Sequence, residues 1–445
     1  MLLVVAACSS GVGDATPDVD RRSTNESTAT ATLVGAARTV APTDEPTATA
    51  RRTAGPAPTL SPDLVSLLSA IEGRVVKERG LGDAQDSMRK VVTREEIGDI
   101  IAQDFEEDTD PEEIRAIQNL LVMLGLLDDG DDLLDQLIAL NSSQVIGQFN
   151  LRSGELYIVS DGAEFGVLEE FTYAHEYTHA LQQGSFNLLA ERESREDDSE
   201  ASGAYTALVE GDASLLGGAY LGEYLNPLDL FRAANAVDDG GLDDAPFVLQ
   251  ESLVFPYREG LAFVTDLYRQ GGWRAVDDAY RDPPSTTEQI LHPEKYRQRE
   301  ARVEVTLPDI AAALGDGWVE DRTKSIGELD LRILLQSQLS AGEASRGAAG
   351  WGGDRYALLD GPAGQRVLVS LVRWDTEQDA SEFFDAYERL LDRRGADVDH
   401  APGSLRGVTP DLFTHSMRIG VDETLLIITS EAPLINRIAP LFPEF

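Results

Sequence analysis

The sequence predicts an α+β protein that is mainly helical in its central part, with a small edge sheet there and a separate α+β module at the C-terminus. Apolar residues recur at helical spacing behind N-cap residues in much of the first two thirds of the chain. Strand-like runs between turn residues occur near residue 150 and again from residue 351 onward. The chain has 445 residues, enough for two or three domains that each bury a core.

The first sixty residues are predicted to lie outside any folded domain. Residues 1–7 are an apolar run that ends in two alanines directly before Cys8, the one cysteine of the chain. Residues 9–60 are rich in Ser, Thr, Ala, Pro and Gly and contain few large apolar residues, so they cannot bury enough surface to fold. We therefore expect a disordered tether there, and no intramolecular disulfide.

Val5-Ala6-Ala7-Cys8 resembles a bacterial lipobox, in which the cysteine becomes the lipidated first residue of the mature protein. The sequence departs from that pattern upstream, where no basic segment precedes a short apolar run. The resemblance implies a signal remnant at 1–8, lipidation of Cys8, and a location outside the cytoplasm, as an outward-facing membrane lipoprotein or a secreted protein. Membrane contact would be through the lipid anchor only, because no later segment has the roughly 18 continuous apolar residues of a membrane helix.

Residues 61–140 are predicted to form a helical N-terminal region. Ser61-Pro62 begins the first helix, with proline at the first helical position. Thr93 and Glu96 form a capping box that begins a second helix, and Asp110-Pro111 begins a third. Nothing in this region suggests chemistry.

Residues 141–300 are predicted to form a central domain. Two strand-like runs, at 144–150 and 155–160, predict a hairpin. A helix over 166–183 follows directly. A second helix, at about 200–222, is rich in small residues, which suits close packing against the first helix.

The last third is predicted to contain a helical connector at 301–350 and a compact α+β module at 351–445. Two helices, at about 258–270 and 272–280, are expected before the connector. The module is predicted to have two strands, a helix, two further strands and a short terminal helix; the first five are placed at 354–359, 366–373, 377–393, 411–418 and 423–430.

Acidic residues greatly outnumber basic ones: 37 Lys and Arg stand against 79 Asp and Glu, a formal net charge of −42. A surface of that charge repels phosphate backbones and anionic lipid, so we expect no nucleic-acid partner. The acidic runs lack the alternating ligand pattern of a calcium loop and are expected to be solvated turns.

The strongest chemical signal is the run His175-Glu176-Tyr177-Thr178-His179. Histidines at i and i+4 lie on one helical face, so both imidazoles can reach one metal ion. Glu176 is offset by about 100° around the helix, which places it beside the metal, where it can take a proton from an attacking water as general base. The run therefore predicts a zinc site with His175 and His179 as ligands.

A catalytic zinc site needs a third protein ligand and an open position. No histidine follows six residues after His179, so a carboxylate is required. Glu200 and Asp198 have a suitable spacing but lie in a charged run that is expected to prefer solvent. Glu210 lies on the small-residue helix, whereas Asp212 points away from Glu210 around that helix and is the weaker candidate.

Together with the motif, Glu210-Gly211-Asp212-Ala213 resembles the third-ligand segment of the gluzincins, zinc peptidases of the peptidase MA superfamily. The resemblance covers roughly residues 144–300. It implies that residues 141–300 form a zincin-like catalytic core, with a Zn²⁺ ion held by His175, His179 and Glu210 and a peptide or protein as substrate.

Gluzincins often place a histidine or tyrosine opposite the zinc, where its hydrogen bond stabilises the developing oxyanion. His292, held extended before Pro293, is the preferred catalytic candidate for this role, with Tyr257 and Tyr296 as alternatives. Two other functions stay open. One is a non-catalytic cell-envelope binding protein that keeps the fold, which the intact Glu176 disfavours, and the other is a zinc hydrolase acting on something other than protein.

Overall fold

The predicted α+β class is confirmed by the computed structural model, in which helices dominate the first two thirds of the chain and a large sheet the last third. The structure describes residues 60–82, 84, 88–159, 165–234 and 242–445. The predicted signal remnant, the lipidation site Cys8 and the tether up to residue 59 lie outside the described residues. No helix in the described ranges is long and apolar enough to span a bilayer.

The N-terminal region contains the helices expected from its caps and one strand that the sequence analysis missed. Its elements are α1 (Pro62–Arg79), β1 (Met88–Val92), α2 (Arg94–Asp108), α3 (Pro111–Leu124) and α4 (Leu133–Gln144). Ser61, the Thr93–Glu96 capping box and Asp110 cap α1, α2 and α3 as predicted. The strand β1 was missed because its partner lies more than sixty residues further along the chain.

The central region places a small sheet beside the motif helix. It contains β2 (Gly147–Phe149), β3 (Glu155–Val159), α5 (Val167–Phe186), α6 (Leu188–Glu193), α7 (Ser199–Tyr224), α8 (Pro227–Ala234), α9 (Phe247–Gly271), α10 (Trp273–Arg281), α11 (Thr287–Leu291) and α12 (Pro293–Gln298). The sheet order is β1-β3-β2, with β3 parallel to β1 and antiparallel to β2. The hairpin prediction is therefore confirmed, and β2 lies at the sheet edge.

The small-residue face of α7 packs on α9 rather than on the motif helix α5 as expected. A Cβ atom at Gly211 would lie 2.2 Å from the carbonyl oxygen of Gly260, and one at Gly260 would lie 2.2 Å from that of Ala207. The two backbones therefore touch at positions where only glycine fits. The helix α9 begins eleven residues before the predicted start, because Pro256, which argues against a helix interior, is accommodated within it.

The last third is one seven-stranded antiparallel sheet with helices on both faces. It contains α13 (Ile310–Leu314), β4 (Val319–Lys324), α14 (Gly327–Gln336), α15 (Ala341–Ala348), β5 (Trp351–Asp360), β6 (Arg366–Trp374), α16 (Glu377–Arg393), β7 (Asp397–Ala401), β8 (Ser404–Val408), β9 (Thr414–Ile419), β10 (Glu423–Thr429) and α17 (Ile435–Ile438). The strand order is β4-β5-β6-β10-β9-β8-β7. The connector predicted as helical thus supplies the edge strand β4, and the β7–β8 hairpin was not predicted.

Candidate metal centre

The motif helix α5 is buried along most of its length. Tyr173, Ala174 and Leu181 pack with α1, α7 and β3 in one hydrophobic cluster. Burial of this surface, at about 25 cal/mol per Å² of apolar area, holds the helix in place. His175 and His179 are 1% and 7% exposed, so both imidazoles lie inside the protein rather than on its surface.

Three ligand atoms converge on one point between α5 and α7. The Nε2 atoms of His175 and His179 lie 3.2 Å apart. Glu210 Oε2 lies 3.3 Å from each of these nitrogens. Among the predicted ligand candidates, the structure thus brings together His175, His179 and Glu210, with Glu176 beside them.

This triangle fits a zinc ion. Zinc bonds to imidazole nitrogen and carboxylate oxygen are about 2.0–2.2 Å long, so two ligand atoms of a tetrahedral site lie about 3.3 Å apart. The three observed separations, 3.2, 3.3 and 3.3 Å, match one face of such a tetrahedron. Two histidines and one carboxylate are also a donor set of catalytic zinc sites, with the fourth position open.

The electrostatics of the site favour a cation. Burial alone would lower the pKa of His179, but the nearby charges of Glu210 and Glu176 raise it to about 9. Burial would raise the pKa of Glu210, yet the two histidines hold it well below its usual range. A positive charge is thus stabilised at the point where the three ligand atoms meet.

A buried polar network behind His179 was not predicted from the sequence. His179 Nδ1 lies 2.8 Å from Gln182 Oε1, while Gln182 Nε2 donates to the Val209 carbonyl at 3.1 Å and to Asp212 Oδ2 at 2.9 Å. Because both acceptors fix the orientation of the amide, the neutral ring of His179 carries its proton on Nδ1 and presents the lone pair of Nε2 to the candidate metal position. The i, i+3 spacing of His179 and Gln182 was a local signal that could have revealed this pair.

Asp212 connects this network to the end of α1. Its carboxylate accepts from Arg79 Nε at 2.7 Å, from Arg79 Nη2 at 3.0 Å and from the Tyr280 hydroxyl at 2.9 Å. Arg79 also pairs with Asp277 at 2.8 Å and lies over the ring of Trp273. The N-terminal region, which suggested no chemistry, therefore contributes a buried cation to the support of the site.

Glu176 is held beside the three ligands by the edge strand. Its Oε2 accepts a hydrogen bond of 2.8 Å from the backbone N–H of Phe149 on β2. The other oxygen, Oε1, is buried and has no hydrogen-bond partner among the described residues. Burial raises the pKa of the carboxyl, as suits a general base that must also release its proton.

The alternative third ligands are engaged elsewhere. Glu200 was expected to be exposed but is 2% exposed, and its carboxylate accepts from the backbone N–H and the hydroxyl of Thr287. Gly327, at φ +84°, leaves room for the Glu200 carboxylate, because a Cβ atom at residue 327 would lie 1.9 Å from Glu200 Oε1. Asp198 caps α7 and forms an ion pair of 2.6 Å with Arg302.

The three candidate oxyanion donors lie in different surroundings. The His292 ring faces Glu328, with Nε2 2.8 Å from its Oε1, a contact that raises the pKa of the imidazole. Tyr296 donates to the Asp282 carbonyl at 2.9 Å and is buried. The ring of Tyr257 lies 6.2 Å from that of His175, centroid to centroid, which makes it the candidate that the structure places beside the ligand set.

Comparisons with known proteins assign no function to the residues of this candidate site. Residues 314–434 match the model of a domain of unknown function (DUF8575), which spans the large sheet but not the motif helix. No curated protein matches the chain. A solved structure from Chloroflexus aurantiacus, described provisionally as a hydrolase with a novel fold, is 16% identical, with a TM-score of 0.33 over 54% of this chain and 89% of that one. A likeness this low carries no functional argument.

Proposed function

We propose that this protein is a zinc-dependent peptidase that hydrolyses peptide bonds with an activated water, outside the cytoplasm. The observation behind the proposal is the triangle of His175 Nε2, His179 Nε2 and Glu210 Oε2, with edges of 3.2–3.3 Å and a buried carboxylate, Glu176, beside it. The motif alone predicts two ligands and a base, and the position of Glu210 on a different helix supports it as the third ligand.

The roles of the residues follow from their positions. His175, His179 and Glu210 would hold the metal, which supplies Lewis acidity that polarises a carbonyl and makes water nucleophilic near neutral pH. Glu176 takes the proton of the attacking water on Oε1 while the Phe149 N–H fixes Oε2, and then transfers the proton to the leaving amine. Gln182 holds the proton of the neutral His179 ring on Nδ1, so Nε2 is the nitrogen that would bind the metal.

The test uses the full chain. We expect about one zinc per molecule, lost in His175→Ala and His179→Ala. Glu176→Gln should keep the zinc and lower peptide cleavage about 10²–10⁴-fold, because only the base is removed. Glu170→Gln, a change of the same type nearer the start of α5, should leave cleavage unchanged. Full zinc in either histidine variant contradicts the proposal, and zinc binding without hydrolysis of any peptide in a library favours the binding-protein alternative.

We also propose that the chain is held at the outer face of a cell membrane through lipidated Cys8. The support is the small-residue run before this cysteine and the composition of residues 9–60. With a complete export signal, the wild-type chain should fractionate with membranes, and Cys8→Ser should release it to the soluble fraction. Unchanged partitioning of Cys8→Ser would rule out the anchor and leave a secreted protein.

A further inference from the structure

A second candidate site lies in a cavity of about 230 Å³ between α3, α7, α9, α14 and the strands β4 and β5. An apolar cavity of about 150 Å³ already admits benzene, so this one can hold a larger ligand. Most of its wall is aliphatic or aromatic, including Ile117, Leu121, Leu249, Phe255, Leu329 and Ile333.

Asp330, in the first turn of α14, is a charged residue in this wall. Its side chain is exposed and lines the cavity. Among the described residues, no hydrogen-bond donor or cation contacts its carboxylate. A carboxylate beside apolar side chains, with no protein cation in contact, can take a cationic group of a ligand as its partner.

Apart from Glu196, which is a second exposed acid, the other charged groups of the wall have partners. Arg322 is bound by Glu113 at 2.8 Å and by the Tyr356 hydroxyl at 2.7 Å. Lys324 donates to the backbone carbonyl of Asp197 at 2.8 Å. The carboxylate of Glu200 is bound by Thr287. The charged groups that line the cavity without a partner in the described part of the chain, Asp330 and Glu196, are therefore both acids, and a cation complements them.

We propose that this cavity binds an aliphatic ammonium group, with the cation on Asp330 and the alkyl chain among the apolar side chains. A lysine side chain of a peptide and a free alkylamine share this chemistry. Thr206, which lines the cavity, precedes Glu210 by one turn of α7, about 6 Å along the helix axis, so the occupant lies next to the candidate metal centre. The binding does not depend on the proposed peptidase activity and can be measured without zinc.

The test is calorimetric titration of the full chain with octylammonium at pH 8, with octanol and octanoate as uncharged and anionic probes of equal length. We expect octylammonium to bind at least about tenfold more tightly than octanol, because a hydrogen bond to a charged group contributes about 1.5–3 kcal/mol. Asp330→Asn should remove this preference and leave octanol binding unchanged. Asp316→Asn, which removes an acid outside the cavity, should change neither. Octylammonium affinity unaltered by Asp330→Asn would overturn the proposal.

The pH dependence gives an independent readout. The surrounding protein and the charge of Asp354 raise the pKa of Asp330 to about 7. The other titratable groups that line the cavity are Glu113, Glu196, Glu200, Arg322, Lys324 and Tyr356. An alkylammonium stays charged over this range. Binding should therefore weaken between pH 8 and pH 5.5 in the wild type but not in Asp330→Asn, and a flat wild-type profile contradicts the proposal.

Two further measurements test whether the amine binds in this cavity and which kind of molecule supplies the ammonium group. Ser252→Trp should fill the cavity and abolish binding of octylammonium and octanol together, with the circular dichroism spectrum confirming the fold. Retained binding in a folded Ser252→Trp variant would place the amine elsewhere and overturn the proposal. Competition with two peptides distinguishes the sources of the ammonium group. If a lysine peptide displaces octylammonium and its norleucine analogue does not, the cavity binds lysine side chains of peptides. If neither peptide competes, the cavity binds free alkylamines.

Discussion

The amide of Gln182 and the imidazole of His179 are joined by a contact of 2.8 Å one helical turn apart on α5. Both amide hydrogens of Gln182 are used by Val209 and Asp212, so the amide oxygen has to face the imidazole. The hydrogen bond therefore fixes which nitrogen of His179 is available as a ligand.

Replacing Gln182 by methionine should weaken zinc binding about 10–100-fold, because a nearly isosteric side chain no longer orients His179. The measurement is competition for zinc against a chromogenic chelator. Gln183→Met is the matched control: this side chain accepts from the Leu189 N–H and does not contact the ligands. Equal zinc affinity in the two variants would show that Gln182 does not position the ligand.

The ion pair of Arg79 with Asp212 should be far more important for stability than that of Arg74, which lies five residues earlier on α1. Arg79→Met leaves a buried carboxylate without its cation and should lower the free energy of unfolding by about 3–5 kcal/mol. Arg74, whose side chain is 36% exposed, pairs with Glu170, and Arg74→Met should cost about 0–1 kcal/mol. Urea unfolding at pH 7 compares the two, and similar losses would contradict the structural role given to Arg79.

The features predictable from the sequence are those encoded within a few residues. The caps at Ser61, Thr93 and Asp110 are local hydrogen bonds, and they mark helix starts that the structure confirms. The His175–His179 spacing is likewise local, because one helix presents both side chains.

The features that were missed depend on partners distant in sequence. The pairing of β1 with β3 and of β4 with β5 has no local signal, and both strands lie in regions predicted to be helical. The charged run before Glu200 indicated exposure, but the pocket formed by Thr287 and Gly327 buries that carboxylate. At these positions, tertiary packing determines the secondary structure and the burial, and it overrides the preference of the local sequence.

The identity of the third ligand is tested by Glu210→Gln. An amide oxygen is a poorer zinc ligand than a carboxylate, so zinc affinity should fall strongly while the fold persists. Glu200→Gln and Asp198→Asn are the controls; their carboxylates bind Thr287 and Arg302, so zinc affinity should change little. If zinc affinity falls in the Glu200 variant and not in the Glu210 variant, the ligand assignment is wrong.

Structure and sequence favour different side chains as the hydrogen-bond donor opposite the candidate metal centre. Tyr257 lies next to His175, whereas the preferred sequence candidate, His292, contacts Glu328 of α14. A donor that stabilises a developing oxyanion acts mainly in the transition state, so Tyr257→Phe should lower kcat about 10²–10³-fold with little change in KM or zinc content. His292→Gln should reduce stability through the loss of its contact with buried Glu328, with a small effect on kcat. A large loss of kcat confined to His292→Gln would instead favour His292 as the oxyanion donor. The junction between α11 and α12 would then have to move towards the candidate metal centre when substrate binds.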